Sequence, residues 1–381
     1  MKISCTQENL NQGLFVVSHV ASKNTSLPIL NNILINTKNN QIKLTATNLE
    51  IGVSCEIRGK SEEDGDLTIQ SKLLADYVSL LPKERVDLST TSNEQGVVLG
   101  IKCKNHSTKI KSQPATDFPL IPVVERKNPF NLDPVDFREA LSQIIFATSI
   151  SETRPEINGV FFKLSNNGLT MAATDSYRLA EKKVGFKKPS SGGNQEVIVP
   201  TKTLQELQRI LSSFKDPAAI SEIEGVDLYL SDNQILFVLG NIEIVSRLVE
   251  GQYPDYTQII PQTSNTTVKF NVTELVNAVK TNSLFARSGI YDVSLEIFTD
   301  KSEIVVHSAN SQLGENTTTL AVTTSGDNNN IVVNFRYLLD GLQNIGSDEA
   351  ELSLVDAASP CLLKPVSKNP DYLYIIMPIK Q

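Results

Sequence analysis

The chain has no tryptophan, and its 381 residues include only 3 histidines, 3 methionines and 4 cysteines. His19, His106 and His307 are far apart, and no two cysteines form a CxxC pair. This spacing argues against a zinc site and a disulfide framework, and we expect no cofactor. The sequence also contains no apolar run long enough to span a bilayer and no signal-peptide core. These absences predict a cytoplasmic protein with reduced thiols and no membrane partner.

Basic charge is in short supply, because 35 Lys and Arg residues face 43 Asp and Glu residues, which gives a net charge of −8. A uniformly acidic surface would be repelled by phosphates, so the net charge alone argues against a nucleic-acid binder. An acidic outer surface combined with a basic concave face would not be repelled. The distribution of charge along the chain therefore has to decide between the two.

Signatures of catalysis are also missing. The sequence contains no GxSxG elbow, Walker loop, dinucleotide fingerprint or HExxH helix. Asp175, Tyr177 and Arg178 resemble an acid/base cluster, as do Asp255 and Tyr256, but single carboxylates beside tyrosines are common in turns. We therefore predict that the protein is not an enzyme.

What the chain does contain is a threefold internal repeat. Each third begins with a short strand and an amphipathic helix, continues with a strand pair, and then has a strand that runs into a second helix. The thirds begin at Met1, Pro129 and Thr267, and Asp133 and Pro134 form a helix N-cap sequence in the second. Units of about 130 residues with two helices and strand pairs predict an α+β architecture of three domains. Their predicted bounds, set by proline-containing polar joints, are residues 1–125, 129–256 and 265–381.

The three second helices share an apolar stripe and a basic residue one position after the predicted start. The basic residues are Lys72, Lys202 and Arg336. The stripes consist of Leu73, Leu74, Tyr77, Leu80 and Leu81, then Leu204, Leu207 and Leu211, and then Leu338, Leu339, Leu342 and Ile345. The helices thus have a mild basic excess within an acidic chain, although an ordinary solvated helix face would look the same.

Seven short segments occur in a characteristic order. They are SLPIL from Ser26, ATDFP from Ala115, INGV from Ile157, ATDSYRL from Ala173, VIVP from Val197, LVEGQYPDY from Leu248 and MPIK from Met377. With these segments the chain resembles the bacterial DNA sliding clamps, the beta subunits of DNA polymerase III, over essentially its whole length. The resemblance implies a homodimer that closes head to tail into a ring, with strands outside and helices around a hole for double-stranded DNA.

The resemblance also implies a function as a processivity factor, which tethers a polymerase by topology rather than by tight contacts with bases. Sliding requires weak, sequence-independent phosphate contacts. The residues expected to face DNA are Lys23, Lys72, Arg154, Lys202, Arg209 and Arg336. Leu284 and Phe285 match apolar positions of the dimer contact, although Phe285 at a helix end is otherwise most simply a core residue.

The resemblance further implies a groove between the second and third domains. There the DNA polymerase III alpha subunit, the clamp loader, other polymerases and repair proteins would dock short linear motifs. Its expected residues are Ile157, Thr174, Ser176, Tyr177, Arg178, Leu179, Pro254, Gln258, Ile259, Ala358, Ser359, Ile376, Met377, Pro378 and Ile379. Leu179, Ile259, Met377 and Pro378 would form an apolar trough with a polar rim. Alternatively, Met377 and Pro378 end a strand and Leu179 belongs to the core.

Two positions of the predicted groove depart from the family pattern. Gln258 stands where arginine is common, and Tyr177 where histidine is frequent, so the preferred peptide stays open. A competing interpretation of the whole chain is a structural or adhesive repeat protein built from three α+β modules. That interpretation predicts a monomer or an open filament instead of a closed dimer.

Overall fold

The computed structural model describes residues 1–21, 27–93, 96–151, 153–190, 192–214, 223–367 and 370–380. Within these ranges no helix is long and apolar enough to cross a membrane. The α-helices are α1 (Gln7–Ser18), α2 (Ser71–Ser79), α3 (Pro134–Ile144), α4 (Thr201–Ser213), α5 (Val272–Ser283) and α6 (Phe335–Gln343).

The strands pair in an antiparallel manner with their neighbours. They are β1 (Lys2–Thr6), β2 (Asn32–Lys38), β3 (Gln41–Thr47), β4 (Ile51–Ile57), β5 (Gly59–Glu63), β6 (Gly65–Gln70), β7 (Arg85–Asn93), β8 (Gly96–Cys103), β9 (His106–Lys111), β10 (Phe130–Leu132), β11 (Gly159–Ser165), β12 (Gly168–Thr174), β13 (Arg178–Val184), β14 (Phe186–Lys188), β15 (Gln195–Pro200), β16 (Val226–Ser231), β17 (Gln234–Leu239), β18 (Ile242–Arg247), β19 (Thr266–Asn271), β20 (Asp292–Phe298), β21 (Glu303–Asn310), β22 (Gly314–Ala321), β23 (Thr323–Gly326), β24 (Asn329–Asn334), β25 (Glu349–Leu354), β26 (Cys361–Pro365) and β27 (Tyr372–Ile376). Helices and antiparallel sheets in each third confirm the α+β prediction.

One compact unit comprises residues 1–134, 187–192 and 206–248. It contains a sheet in the order β5-β1-β7-β8-β9 and a nine-stranded sheet in the order β14-β10-β16-β17-β18-β4-β3-β2-β6. Strand β18 pairs with β4, with Ile244 opposite Val53. Strands of the first and second repeats therefore form one continuous sheet, and α1 contributes Leu10, Leu14 and Val17 to the core of this unit.

The second compact unit comprises residues 135–186, 193–205 and 249–381. It contains a nine-stranded sheet in the order β15-β11-β12-β13-β27-β26-β25-β19-β23 and a sheet in the order β22-β21-β20-β24. Strand β13 pairs with β27, with Leu179 opposite Ile375. The second and third repeats are thus joined through their strands in the same way, over a core that includes Phe137, Phe162 and Tyr374.

Local features of the sequence agree with several elements of the structure. Asn39 and Asn40 connect β2 and β3 with φ angles of 52° and 65°, as a two-residue hairpin turn requires. The second helices begin at Ser71, Thr201 and Phe335, one residue before the basic residues aligned in the sequence. Those three basic residues therefore all occupy the second position of a helix.

The predicted apolar stripe of α2 is wrong in part. Leu73 is 46% exposed and Leu80 is 82% exposed, whereas Leu74 and Val78 are fully buried. The reason is that the helix buries Ser71, Leu74 and Val78, which are three and four residues apart and share one face. Leu73 lies off that face, and Leu80 lies beyond the end of the helix.

Candidate functional site

A tight turn between β12 and β13 contains four of the predicted groove residues. The Thr174 hydroxyl donates to the Arg178 carbonyl oxygen (2.6 Å) and accepts from the Ser176 N–H (3.1 Å). Asp175 Oδ1 accepts from the N–H groups of Tyr177 (2.9 Å) and Arg178 (3.0 Å). These bonds form an Asx turn and hold Ser176 at a φ of 78°. Tyr177 consequently stays 63% exposed.

The Arg178 side chain points inward from this turn and is only 11% exposed. Its guanidinium donates to Asp175 Oδ2 (3.0 Å), to the Phe146 carbonyl oxygen (2.8 Å) and to Asp340. It also lies 4.7 Å from the ring centroid of Tyr337, which is a cation–π contact. Burial alone would lower the Arg178 pKa, but its acidic neighbours raise the pKa above its usual value. Arg178 therefore supports the turn and α6 and is not a free cation at the rim.

Tyr337 was not among the predicted residues, yet it lies beside two of them. Its ring stacks against Tyr177 with 6.3 Å between centroids and an interplanar angle of 20°. Its carbonyl oxygen accepts a hydrogen bond from the Tyr374 hydroxyl (2.9 Å). No local pattern singled out Tyr337, because it lies within a helix whose sequence indicated only apolar spacing.

The C-terminal segment lies next to the same turn. The Met377 N–H donates to the Tyr177 carbonyl oxygen (2.9 Å), directly after β27 ends. Met377, Pro378 and Ile379 are half-buried, and the Ile379 N–H donates to the Val332 carbonyl oxygen (2.8 Å). The chain thus brings a flexible methionine and a proline beside the exposed tyrosine.

Three predicted groove residues are covered by other side chains. Leu179 and Ile376 are 0% exposed, and Ile157 is 2% exposed. Leu179 and Ile157 pack in one cluster with Tyr253 and with other buried side chains. The burial of Leu179 agrees with the alternative that it is a core residue, so this surface owes its accessible apolar area to other residues.

A 3-10 helix at Tyr256–Ile259 contains two further predicted residues, and Pro254 precedes it. Asp255 caps this helix, accepting from the Thr257 N–H at 3.2 Å and the Gln258 Nε2 at 2.9 Å. Hydrogen bonds from Thr257 and Gln258 lower the Asp255 pKa below its ordinary value. Ile259 remains 38% exposed.

Ala358 and Ser359 lie in a second Asx turn, which precedes β26. Both of their N–H groups donate to Asp356 Oδ1, at 2.9 and 2.7 Å. Strand β26 pairs with β27, with Cys361 opposite Ile376. This pairing connects the turn to the strand whose end leads into Met377.

The basic residues at the second position of the three helices are exposed. Within the described ranges, Lys72 and Lys202 form no ion pair. The Arg336 guanidinium lies 3.7 Å from the centroid of the Tyr291 ring. An aromatic ring does not neutralise the cation, so all three retain positive charge at the surface.

Arg209 is in a different environment. Its guanidinium binds both carboxylate oxygens of Glu206, with the shortest distance at 2.5 Å, and donates to the Val16 carbonyl oxygen at 2.9 Å. It also lies 4.6 Å from the centroid of the Phe15 ring. Glu206 is only 4% exposed and also contacts His19 Nδ1 at 2.7 Å. Glu206 and Arg209, which lie in α4, thus form a clasp with α1.

The remaining DNA-facing prediction that can be located is Arg154. It donates to Ser176 Oγ (3.0 Å) and to Glu156 Oε1 (3.2 Å), and its side chain is 48% exposed. Lys23 lies outside the described residues.

The predicted dimer residues follow α5. Leu284 is 71% exposed, whereas Phe285 is half-buried. In the described part of the chain, β9 and β22 each lie at one edge of their sheet, and β5 and β24 lie at the opposite edges. Exposed sheet edges of this kind offer unpaired backbone groups to another chain.

The four cysteines are buried, and in the described part of the chain no cluster of three His, Cys, Asp or Glu residues could hold a metal ion. Burial raises the pKa values of Cys5, Cys55 and Cys361 to about 12. These thiols are therefore protonated and unreactive at neutral pH.

Comparison with known proteins identifies the family. Models of the N-terminal, central and C-terminal domains of the DNA polymerase III beta subunit match residues 1–122, 131–255 and 257–380. The beta sliding clamp of Staphylococcus epidermidis is 32% identical over 369 residues, with 94% of each chain covered. That of Synechocystis is 28% identical over 401 residues, with 100% of this chain and 99% of the relative covered.

Solved structures agree with the sequence matches. The sliding clamp of Bacillus subtilis has a TM-score of 0.92 and 26% identity, covering 100% of this chain and 99% of the other. The beta subunit of Thermotoga maritima has a TM-score of 0.89 and 26% identity, with the same coverage. The chain therefore belongs to the beta sliding clamps, the beta subunits of DNA polymerase III, and contains three clamp domains.

Proposed function

We propose that this chain is a non-catalytic processivity factor that encircles duplex DNA as a head-to-tail homodimer. The ring tethers the DNA polymerase III alpha subunit, the clamp loader and other polymerases and repair proteins. The observation that carries the proposal is the match of three successive clamp domains over nearly the whole chain. A tether raises the effective concentration of polymerase at the primer end and needs no catalytic group of its own.

The open sheet edges support closure of the ring. Strand β9 contains Lys109 and Lys111, and β22 contains Glu315. Pairing β9 of one copy with β22 of the other satisfies both edges and brings opposite charges together. The exposed Leu284 adds apolar area to such a contact. Because the two surfaces differ, the contact is head to tail, and two such contacts close a ring.

The distribution of free cations supports sliding on DNA. Lys72, Lys202 and Arg336 recur at the same helical position in each repeat, within a chain whose net charge is −8. Three modest cations per chain attract the phosphate backbone without reading its sequence. A weak contact of this kind lets a topologically closed ring move along DNA.

The surface between the β12–β13 turn and the C-terminal segment supports peptide docking. Tyr177 and Tyr337 present stacked aromatic rings, and Met377 and Pro378 lie beside them. Aromatic area with a flexible thioether suits apolar side chains of varied partners. The bound motif would lie across the buried layer formed by Leu179 and its neighbours.

The test is retention on DNA. The protein is loaded with the matching clamp loader and ATP onto a nicked circular plasmid, which is then cut once. We expect retention on the circle and release from the linear form, and reactions without ATP are the control for loading. Equal retention on both forms would mean ordinary binding and contradict encirclement. No loading, with the loader active on a control clamp, would favour the structural-repeat interpretation.

A further inference from the structure

The turn that frames the proposed peptide groove occurs a second time, between β3 and β4. The Thr47 hydroxyl donates to the Ile51 carbonyl oxygen (2.9 Å) and accepts from the Leu49 N–H (3.0 Å). Asn48 Oδ1 accepts from the N–H groups of Glu50 (3.0 Å) and Ile51 (2.8 Å). The φ of Leu49 is 77°, against 78° for the serine of the β12–β13 turn. The two turns are therefore the same structure.

The segments that follow the first and second repeats also correspond. Phe118 and Tyr253 each precede a proline and are buried, at 7% and 8% exposure. Three residues later, Ile121 and Tyr256 pack against a sheet. In one case the sheet is formed by β4 and β18, and in the other by β13 and β27. The turn and the packed segment that border the proposed groove, which we call its frame, thus occur again where β4 pairs with β18.

The two turns differ in the residue that follows them at the start of the second strand. In the aligned turns, Gly52 occupies the place of Leu179. A Cβ atom at Gly52 would lie 2.9 Å from Ile121 Cδ1 and 3.0 Å from Val245 Cγ1. The Ile121 side chain thus packs closely over the glycine, and a larger residue there would displace it. Ile121 of the segment that follows the first repeat therefore occupies the space that the side chain of Leu179 occupies at the other turn.

Beside Ile121 lies an open cavity of about 550 Å³, a volume typical of ligand sites. Its apolar walls include Leu34, Leu236 and Val245. Leu120 and Val123 also line it and are 97% and 96% exposed. Large aliphatic side chains that are fully exposed to water beside an apolar cavity are typical of a docking surface.

One charged group of the cavity, Arg126, is able to bind a carboxylate of a ligand. Glu243 accepts from Lys43 Nζ (3.1 Å), Ser54 Oγ (3.3 Å) and Arg126 Nη2. Burial acts to raise the Glu243 pKa, but the bonds from Arg126 and Lys43 outweigh it and lower the pKa. Lys43 and Arg126 share this carboxylate, and Asp66 also lines the cavity, so the two basic and two acidic side chains balance in charge. Arg126 is 49% exposed and retains N–H groups with which to bind a further carboxylate.

We propose that this cavity is a second docking site, which takes a short extended peptide with two apolar side chains three residues apart and a carboxylate between them. The inference rests on the proposed groove, because it argues from the repetition of that groove's frame. The spacing of the two apolar side chains in the peptide is taken from residues 118–124 of the chain itself, where Phe118, Ile121 and Val124 pack at intervals of three residues. The apolar side chains cover Leu120 and Val123, and the carboxylate binds Arg126.

The test uses the full chain with labelled isoleucine δ1-methyl groups and the probe acetyl-Leu-Pro-Glu-Leu-amide. Ile121 reports on the cavity and Ile259 on the proposed groove. An Ile121→Val protein assigns the first signal. We expect saturable movement of the Ile121 signal. Binding should weaken roughly tenfold when Leu120→Asp and Val123→Asp are combined. Ile150→Asp, at an equally exposed position (96%), is the matched control and should leave binding unchanged.

The chemistry of the ligand is tested separately with acetyl-Leu-Pro-Gln-Leu-amide, which should bind more weakly because it lacks the carboxylate. A stationary Ile121 signal, while peptides from the matching polymerase move Ile259, would overturn the second site and leave the groove intact. Stationary signals with every peptide would overturn both. Equal binding by the Leu120→Asp, Val123→Asp protein would also overturn the proposed docking surface.

Discussion

The clasp between α1 and α4 permits a quantitative test of the structure. Glu206 is 4% exposed and Arg209 is 22% exposed, and two nitrogens of the guanidinium bind the carboxylate. We consider Glu206→Ala, Arg209→Ala and the double variant. A double-mutant cycle isolates the coupling of the pair from what each side chain contributes elsewhere, including the contact of Glu206 with His19.

The expected coupling energy follows from burial. Breaking a fully buried ion pair by removing one partner costs about 3–5 kcal/mol. Arg209 keeps part of its hydration and its bond to the Val16 carbonyl oxygen. Each single substitution should therefore cost less than a fully buried pair does, and we expect a coupling energy of about 2 kcal/mol, above the surface range of about 0–1 kcal/mol.

The assay is urea unfolding of the four proteins, evaluated at the first transition because a chain of several domains need not unfold in one step. Lys104 and Glu84 provide the matched control, since their side chains are 61% and 54% exposed at 3.5 Å separation. Their coupling should be below about 0.5 kcal/mol. An equally small coupling for Glu206 and Arg209 would refute the clasp.

Three further predictions concern the groove, the dimer and the charged cavity. Met377→Glu should abolish binding of peptides from the matching polymerase, measured by fluorescence anisotropy, while light scattering shows an unchanged mass. Leu284→Asp should convert the proposed dimer to a monomer at micromolar concentration in sedimentation, and an unaltered mass would remove Leu284 from the proposed contact. Burial raises the Glu243 pKa, but hydrogen bonds from its basic neighbours outweigh burial and hold the pKa below 4.5. The contribution of ionised Glu243 to the free energy of unfolding is complete above its pKa in the unfolded state and is lost as pH falls through its pKa in the folded state. The difference in the free energy of unfolding between the original protein and Glu243→Gln should therefore shrink below pH 4.5.

Much of the fold could be predicted from the sequence because its signals are local. The Asn39–Asn40 turn, the proline at the start of α3 and the periodicity of α4 each depend on neighbouring residues. Leu204, Leu207 and Leu211 are indeed fully buried. The stripe of α2 failed at Leu73, which lies off the face that the helix buries, and at Leu80, which lies beyond the end of the helix.

Less of the candidate site could be predicted from the sequence, because its geometry depends on contacts between residues that are far apart in the sequence. Arg178 and Asp340 are separated by 162 positions, and nothing near either residue indicates that they pair. Tyr337 stacks on Tyr177 from another repeat, so neither local pattern contains the contact. The resemblance to a family located the turn and the C-terminal segment. It did not indicate which side chains support the surface and which remain available to a partner.

The same limit applies to the basic residues. In sequence, Lys202 and Arg209 are two cations of one amphipathic helix, and a count of charges treats them alike. In the structure Lys202 is exposed at the second helical position, whereas Arg209 binds the buried Glu206. A cation that neutralises a buried carboxylate adds no net charge to the surface and gains little from a phosphate, since it would have to leave its partner. In the proposed function, electrostatic attraction to DNA would therefore depend on the unpaired basic residues at the helix starts rather than on the net charge of the chain.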